Sequence, residues 1–198
     1  MASQVDICNL AMSHFGQAAN ISSIDPVDGS AEAEHCARFY PIVLAELLEA
    51  ANWTFARKRA TLAEVTNDRE DFGFKYAFPA DCQKARYLLA DGYTADLSDS
   101  ASETYEIEGS FIYTDAADAT LVYTKRLTDT TKFSGMFVTG FSLQLAAYVV
   151  GPITKDPSGR TQALLADRAT RKLNEAKVVD ANSERRRAVH RSTAERAR

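Results

Sequence analysis

Residues 72–79 read FGFKYAFP. Phe72, Phe74, Tyr76 and Phe78 alternate with Gly73, Lys75 and Ala77, which sets four aromatic rings on one face of an extended strand, and Pro79 ends it. Upstream, the apolar residues keep a different period. Cys36, Tyr40, Val43, Leu44, Leu47 and Ala51 recur at helical spacing and mark a helix over residues 31–51, with Ser30 as its cap. The helical period returns near residue 130. This change and its reversal predict the fold class: α+β, with an antiparallel β insertion inside a helical body.

Working outward, residues 3–15 predict a first helix that Ser3 caps and Gly16 ends. It has two apolar stripes: Val5, Cys8, Met12 and Phe15, then Ile7, Leu10 and Ala11. Two stripes imply burial on two sides. Pro41 sits inside the second helix, where a missing hydrogen bond costs about 3 kcal/mol, so a kink or break is expected there. Residues 52–60, NWTFARKRA, close that helix and begin an extended stretch. Beyond the aromatic strand, Arg86–Leu89 is a second candidate. Tyr105 and Ile107 alternate with Glu106 and Glu108, Gly109-Ser110 turns the chain, and Phe111–Thr114 returns as the hairpin partner. Ala119–Arg126 is a further strand. Residues 91–103, rich in Asp, Ser and Ala, read as an exposed loop.

A third helix is expected from about Thr130 to Val150, capped by Asp129 and stopped by Gly151-Pro152. A fourth is expected from Asp156-Pro157, with the stripe Leu165, Ala169, Leu173 and Ala176. The expected architecture is a helical bundle of four main helices, an antiparallel β insertion between helices 2 and 3, and an extended basic C-terminal tail. Its expected bounds are 1–60 and 127–182 for the helical body, 61–126 for the insertion and 183–198 for the tail.

The chain has 198 residues, 45% apolar and 25% charged, which suits a soluble globular protein with its own core. Cys8, Cys36 and Cys82 are too few and too scattered for a disulfide framework and read as reduced thiols. The N-terminus has an early Asp6 and no basic start, so no signal peptide is expected. Residues 133–154 carry no charge and are long enough to span a bilayer. Ser134, Gly135, Thr139, Gly140, Ser142 and Gln144 dilute that apolarity, so a helix buried within a protein assembly is the favoured reading and no membrane is expected.

The net charge of −4 is unevenly spread. Residues 183–198 hold six arginines (Arg185, Arg186, Arg187, Arg191, Arg196 and Arg198) against Glu184 and Glu195. Residues 60–118 hold thirteen Asp or Glu against Arg69, Lys75, Lys84 and Arg86. An acidic middle and a basic end imply two surfaces with different partners.

No phosphate-cradling GxxxxGK[ST] or GxGxxG and no GxSxG elbow occurs. His14, His35, Cys8, Cys36 and Cys82 match no zinc spacing, so no metal, cofactor or catalytic residue is assigned. Trp53 and Phe55, flanked by Arg57, Lys58 and Arg59, could stack on nucleic acid; a capping cluster at the helix end is the favoured reading, given a pI near 5.4.

Five segments carry a resemblance. ICNLAMSHFGQ (7–17), ANWTFARKRATLAE (51–64), FKYAFPADCQKARYLL (74–89), YEIEGSFIYTDA (105–116) and LVYTKRLTDTTKF (121–133), the last followed by a long uncharged helix, occur in that order. In order and spacing they resemble the tail tubular protein A family, the head–tail adaptors of short-tailed bacteriophages. The resemblance covers roughly residues 3–155.

It implies a structural virion protein, not an enzyme. The family forms a dodecameric ring between the portal protein and the tail nozzle, through which genomic DNA passes. Helices build the ring and the β part faces the nozzle. On that reading Val5, Leu10, Phe137, Gly140, Phe141 and Tyr148 are expected at the interface between subunits. Asp91, Asp96, Asp99 and Glu103 are expected to face the nozzle, and the six tail arginines to bind the portal. Location in the virion neck follows, after assembly in the host cytoplasm. A tail of residues 183–198 could reach about 50 Å if extended. The alternative is a nucleic-acid-binding protein that uses the Arg-rich tail.

Overall fold

The computed structural model describes residues 2–89, 103–155 and 158–183. It is α+β, with four α-helices and two antiparallel sheets. The chain divides into a helical unit, reaching to Ala56 and resuming from Arg126 to Asn182, and a β unit, Arg57–Lys125, inserted between them.

In the helical unit, α1 is Gln4–Ser13 and α2 is Ala31–Ala50. Both start where their caps predict. The Ser3 hydroxyl accepts from the Asp6 amide at 3.1 Å and the Asp6 carboxylate accepts from the Ser3 amide at 2.8 Å, a reciprocal capping box. The Ser30 hydroxyl accepts from the Ala33 amide at 3.2 Å. Pro41 does not break α2, which runs unbroken through it. The proline is exposed, at the flank of the face that buries Tyr40, Val43, Leu44, Leu47 and Leu48. The carbonyl it leaves without an amide, that of Ala37, lies on a partly exposed turn where water can serve it.

After a 3-10 turn at Thr54–Ala56 and the β unit, α3 runs over Gly135–Thr154 and α4 over Arg160–Asn182. Three expected boundaries are corrected here. Asp129 caps only a 3-10 turn at Thr130–Lys132; Ser134, whose hydroxyl accepts from the Phe137 amide at 3.2 Å, caps α3. Gly151-Pro152 lies inside the last turn of α3. The helix ends at Lys155, which takes a left-handed conformation (φ 53°) and donates its amide to the Gly151 carbonyl. Helix α4 begins at Arg160; Asp156 and Pro157 fall outside the described residues.

Helix α3 packs against α1, α2 and α4. Its length and apolarity would also suit a membrane span, and here it forms the centre of the helical core. Phe137, Phe141, Leu145, Ala146 and Val149 are fully buried. An aromatic cluster joins its first turns to the segment after α2. Phe137 meets Trp53 at 4.9 Å, Phe55 at 5.0 Å and Phe133 at 4.9 Å between ring centroids, and Phe141 meets Tyr40 at 4.8 Å.

The β unit contains β1 Arg57–Thr61, β2 Ala63–Val65, β3 Phe74–Ala77, β4 Cys82–Leu89, β5 Tyr105–Glu108, β6 Phe111–Thr114 and β7 Thr120–Lys125. One sheet has the order β1-β7-β4 and the other β2-β3-β6-β5. Only Leu62 separates β1 from β2, so a single run of chain passes from one sheet to the next. Tyr76, Leu88, Ile112, Leu121 and Tyr123 fill the core of this unit. The β5–β6 hairpin turns at Gly109, where φ is +57°, as the sequence predicts. The insertion starts at Arg57 rather than 61 and ends at Lys125 rather than 126. RKRAT forms an edge strand with no buried residue, so neither face calls for apolar side chains in alternation.

Candidate functional site

The residues expected between subunits separate into two groups. Phe137 and Phe141 are fully buried within the chain's own helical unit, and Gly140 is buried against α4. These three are corrected: they lie in the core of the chain's own helical unit and not on its surface. The reason is physical. A helix apolar on all sides needs cover on all sides, and α1, α2 and α4 supply it. The other three reach the surface of the unit. Leu10 is 37% exposed, Val5 is partly buried, and Tyr148 is partly exposed, its hydroxyl donating to the Glu46 carboxylate at 2.8 Å. Other large apolar side chains exposed on the helical unit are Val27 before α2, Ile42 on α2, and Leu164, Val178 and Val179 on α4, the last three each more than half exposed.

Asp91, Asp96, Asp99 and the six tail arginines lie outside the described residues. Glu103 is described. It lies just before β5, partly exposed, and its amide donates to the Leu88 carbonyl at 3.0 Å. The fold therefore brings it to β4.

The most concentrated polar arrangement is in the β unit, where Asp68 and Arg69 meet side chains of β3, β5 and β6. Lys75, nearly buried, donates to Asp68 at 2.7 Å and sits 4.3 Å from the Phe111 ring centroid and 5.3 Å from that of Tyr113. Tyr113 donates to the same Asp68 oxygen at 3.0 Å. These hydrogen bonds, that from Lys75 foremost, hold the Asp68 carboxyl below the usual range, and the Asp68 partner raises Lys75. Arg69 lies 4.8 Å from the Tyr113 ring centroid, pairs closely with Asp71 and reaches Glu106 at 3.0 Å and Glu108 at 3.5 Å. Its guanidinium is held charged, chiefly by Asp71. The cluster neutralises cations with adjacent carboxylates and leaves the Glu106 and Glu108 side chains 57% and 69% exposed. Sequence reading missed it. The signal available was a lysine inside an aromatic strand, which has to find a carboxylate if its stem is covered.

Trp53 is 1% exposed, its indole N–H donates to the Leu47 carbonyl at 2.7 Å, and its ring stacks on Phe55. Its face is therefore not presented to a nucleic acid. Of the flanking basic residues, Lys58 pairs with Asp81 at 2.8 Å.

Two further groupings are structural. His14 Nε2 lies 2.9 Å from the hydroxyl of buried Ser142, which itself donates to the Thr139 carbonyl at 2.9 Å. Ser142 thus accepts from the imidazole, the reverse of what a nucleophilic serine requires. Cys8 and Cys36 are buried side by side, and the hydrogen bond between them, with burial, pushes the Cys8 thiol far up. Among the described residues, no group of three or more His, Cys, Asp or Glu is placed to hold a metal ion. A cavity of about 280 Å³ lies between the start of α1, Ile24-Asp25 and the Pro41 turn of α2, with Thr128 on its wall. No protein-family model matches this chain, and a search of curated proteins finds no match to it.

Proposed function

We propose that the chain is a structural head–tail adaptor of a short-tailed bacteriophage. It would be one subunit of a dodecameric ring between portal and tail nozzle, through which genomic DNA passes. The observation that supports this best is the way two units are interleaved in one chain. The five segments that resemble the adaptor family fall, in order, on α1, on the exit of α2 through β1 and β2, on β3–β4, on β5–β6, and on β7 up to α3. A helical unit and an antiparallel β unit, each with its own core, give one polypeptide two independent docking bodies.

On this reading the helical unit contacts its copies through exposed apolar side chains, Leu10 and Ile42 among them. The β unit, with Asp91, Asp96, Asp99 and Glu103, either lines a lumen where like charge keeps DNA from adhering or docks a basic nozzle surface. The tail arginines pair with carboxylates of the portal, which Arg does bidentately. The protein acts without a cofactor or a catalytic step, assembles in the host cytoplasm and resides in the virion neck, with no membrane contact.

Deletion of residues 183–198 tests the portal contact. The truncated chain should keep the unfolding transition of the full chain and lose binding to purified portal rings; undiminished binding would remove the tail from the account. The alternative, a nucleic-acid-binding protein using the same six arginines, predicts tight, salt-sensitive DNA binding by the isolated chain.

A further inference from the structure

Pro41 and the residue it leaves without a donor share a cavity. In an α-helix the carbonyl of residue i points toward residue i+4. The Ala37 carbonyl has no such donor, because Pro41 carries no N–H, and it lies between two residues that both line the cavity of about 280 Å³ beside the start of α1. Tyr40 and Leu44 of the same helix, 4% and 6% exposed, also line it, and Ile24 adds to the apolar wall. The buried Tyr40 hydroxyl has no hydrogen-bond partner among the described residues.

The other polar groups of the cavity come from separate stretches of chain. Asp25 supplies a carboxylate, Gln4 a side-chain amide and Thr128 a hydroxyl. Among the described residues no side chain pairs with any of these three, and no cation lines the cavity. The start of α1 adds a partial positive charge, which Asp6 in its capping box offsets. A carboxylate and an unserved carbonyl favour a cationic donor and disfavour an anion. An ammonium has three N–H donors and no acceptor. That matches the Asp25 carboxylate, the Ala37 carbonyl and either Gln4 or Thr128, with an alkyl stem along Ile24, Pro41 and Leu44. A guanidinium presents its donors in one planar fork, which suits a single carboxylate better than acceptors from several elements.

The geometry points to a binding site for a primary alkylammonium group, its nitrogen between Asp25 and the Ala37 carbonyl and its chain against α2. The cavity lies just below the size range of those that take drug-sized ligands, so a short chain fills it. All its residues belong to the helical unit, and the site does not depend on the adaptor reading. The group can be carried by a free amine or by a lysine of a partner protein. A ligand of about five non-hydrogen atoms binds weakly, with Kd on the order of a millimolar.

Amide spectra of the isotope-labelled full chain, titrated with n-butylammonium chloride at fixed ionic strength, test the assignment. Saturable shifts are expected at Gln4, Asp25, Ala37 and Leu44. Butanol, which has the chain without the charge, and methylammonium, which has the charge without the chain, should each bind about tenfold more weakly. Asp25→Asn should weaken butylammonium binding about tenfold. Pro41→Ala returns an N–H to the Ala37 carbonyl, so it should weaken binding several-fold while raising the unfolding midpoint, which separates loss of the site from loss of the fold. Acetyl-lysine methylamide distinguishes the source: binding equal to that of butylammonium assigns the site to a partner's lysine, and much weaker binding assigns it to a free amine. No saturable shift at roughly 100 mM butylammonium, equal binding of butanol, or binding that both variants leave intact overturns the assignment.

Discussion

Gly140 on α3 and Leu173 on α4 are in direct contact: a Cβ built at position 140 would lie 2.7 Å from Leu173 Cδ2 and 2.8 Å from its Cγ. Leu173 is itself 7% exposed, so it has little room to retreat. The glycine costs the helix about 1 kcal/mol of propensity relative to alanine, yet it permits this close approach. Gly140→Ala is expected to destabilise the protein by about 1–2 kcal/mol net, because overpacking outweighs the propensity gain. The double variant with Leu173→Ala should be less destabilised than the sum of the two single changes, as urea midpoints would show. Gly140→Leu is expected to prevent folding of the helical unit.

Asp180, near the end of α4, accepts from the Thr54 amide and the Thr54 hydroxyl, both at 2.7 Å. It thereby caps the turn that leads out of α2 and ties it to α4. Asp180→Ala should cost about 1–2 kcal/mol, seen as a lower urea midpoint at unchanged slope. A midpoint equal to that of the unmutated chain would show that the contact contributes nothing.

His14 gives a pH dependence. Burial, then the nearby positive charge of Arg168, lowers its pKa below the ordinary value of about 6.5. The unfolded chain therefore binds more protons than the folded one at mildly acid pH. Stability should fall as pH drops from about 6.5 toward the folded value and then level off with respect to this group. Asp6, Asp28 and Asp81, whose pKa values are lowered by hydrogen bonds, act in a separate and more acid window, below about 4. Unfolding midpoints measured from pH 7.5 to 5 should slope in the unmutated chain and be flatter in His14→Gln. Equal slopes would assign the effect elsewhere.

Trp53 is the one tryptophan of the chain, which makes it a clean reporter. Its burial against Phe55 and Phe137 predicts blue-shifted emission that single-stranded DNA leaves unchanged. Quenching by DNA would revive the stacking role considered for this segment. Trp53→Ala should cost about 3–5 kcal/mol, which thermal or urea unfolding would register.

Much of this fold is legible in the residues. Ser3 and Ser30 announce their helices by side-chain chemistry that acts locally, and FKYAF and the Gly109-Ser110 turn announce the strands in the same way. Failures arose where local signals compete or where edge residues carry no pattern. Asp129 and Ser134 are both sound caps; the first closes a 3-10 turn and only the second starts α3. The charged strand Arg57–Thr61 lacks the alternation that would reveal it, because neither of its faces is buried. The site was less legible. An uncharged helix declares that it is covered, but not by what. From sequence alone Phe137, Gly140 and Phe141 suit a contact between subunits, whereas α1, α2 and α4 of the same chain cover them. The Lys75–Asp68–Tyr113 cluster depends on a loop folding over a strand some residues away, a relation that periodicity does not carry.

The adaptor reading places every copy of this chain at one location. Antibody against the purified protein, labelled with gold and imaged on intact and tail-stripped virions, tests that directly. The account predicts label at the junction of capsid and tail in intact particles, retained on heads from which the nozzle has been removed. Label on fibres, on the capsid faces, or on no part of purified virions would contradict it.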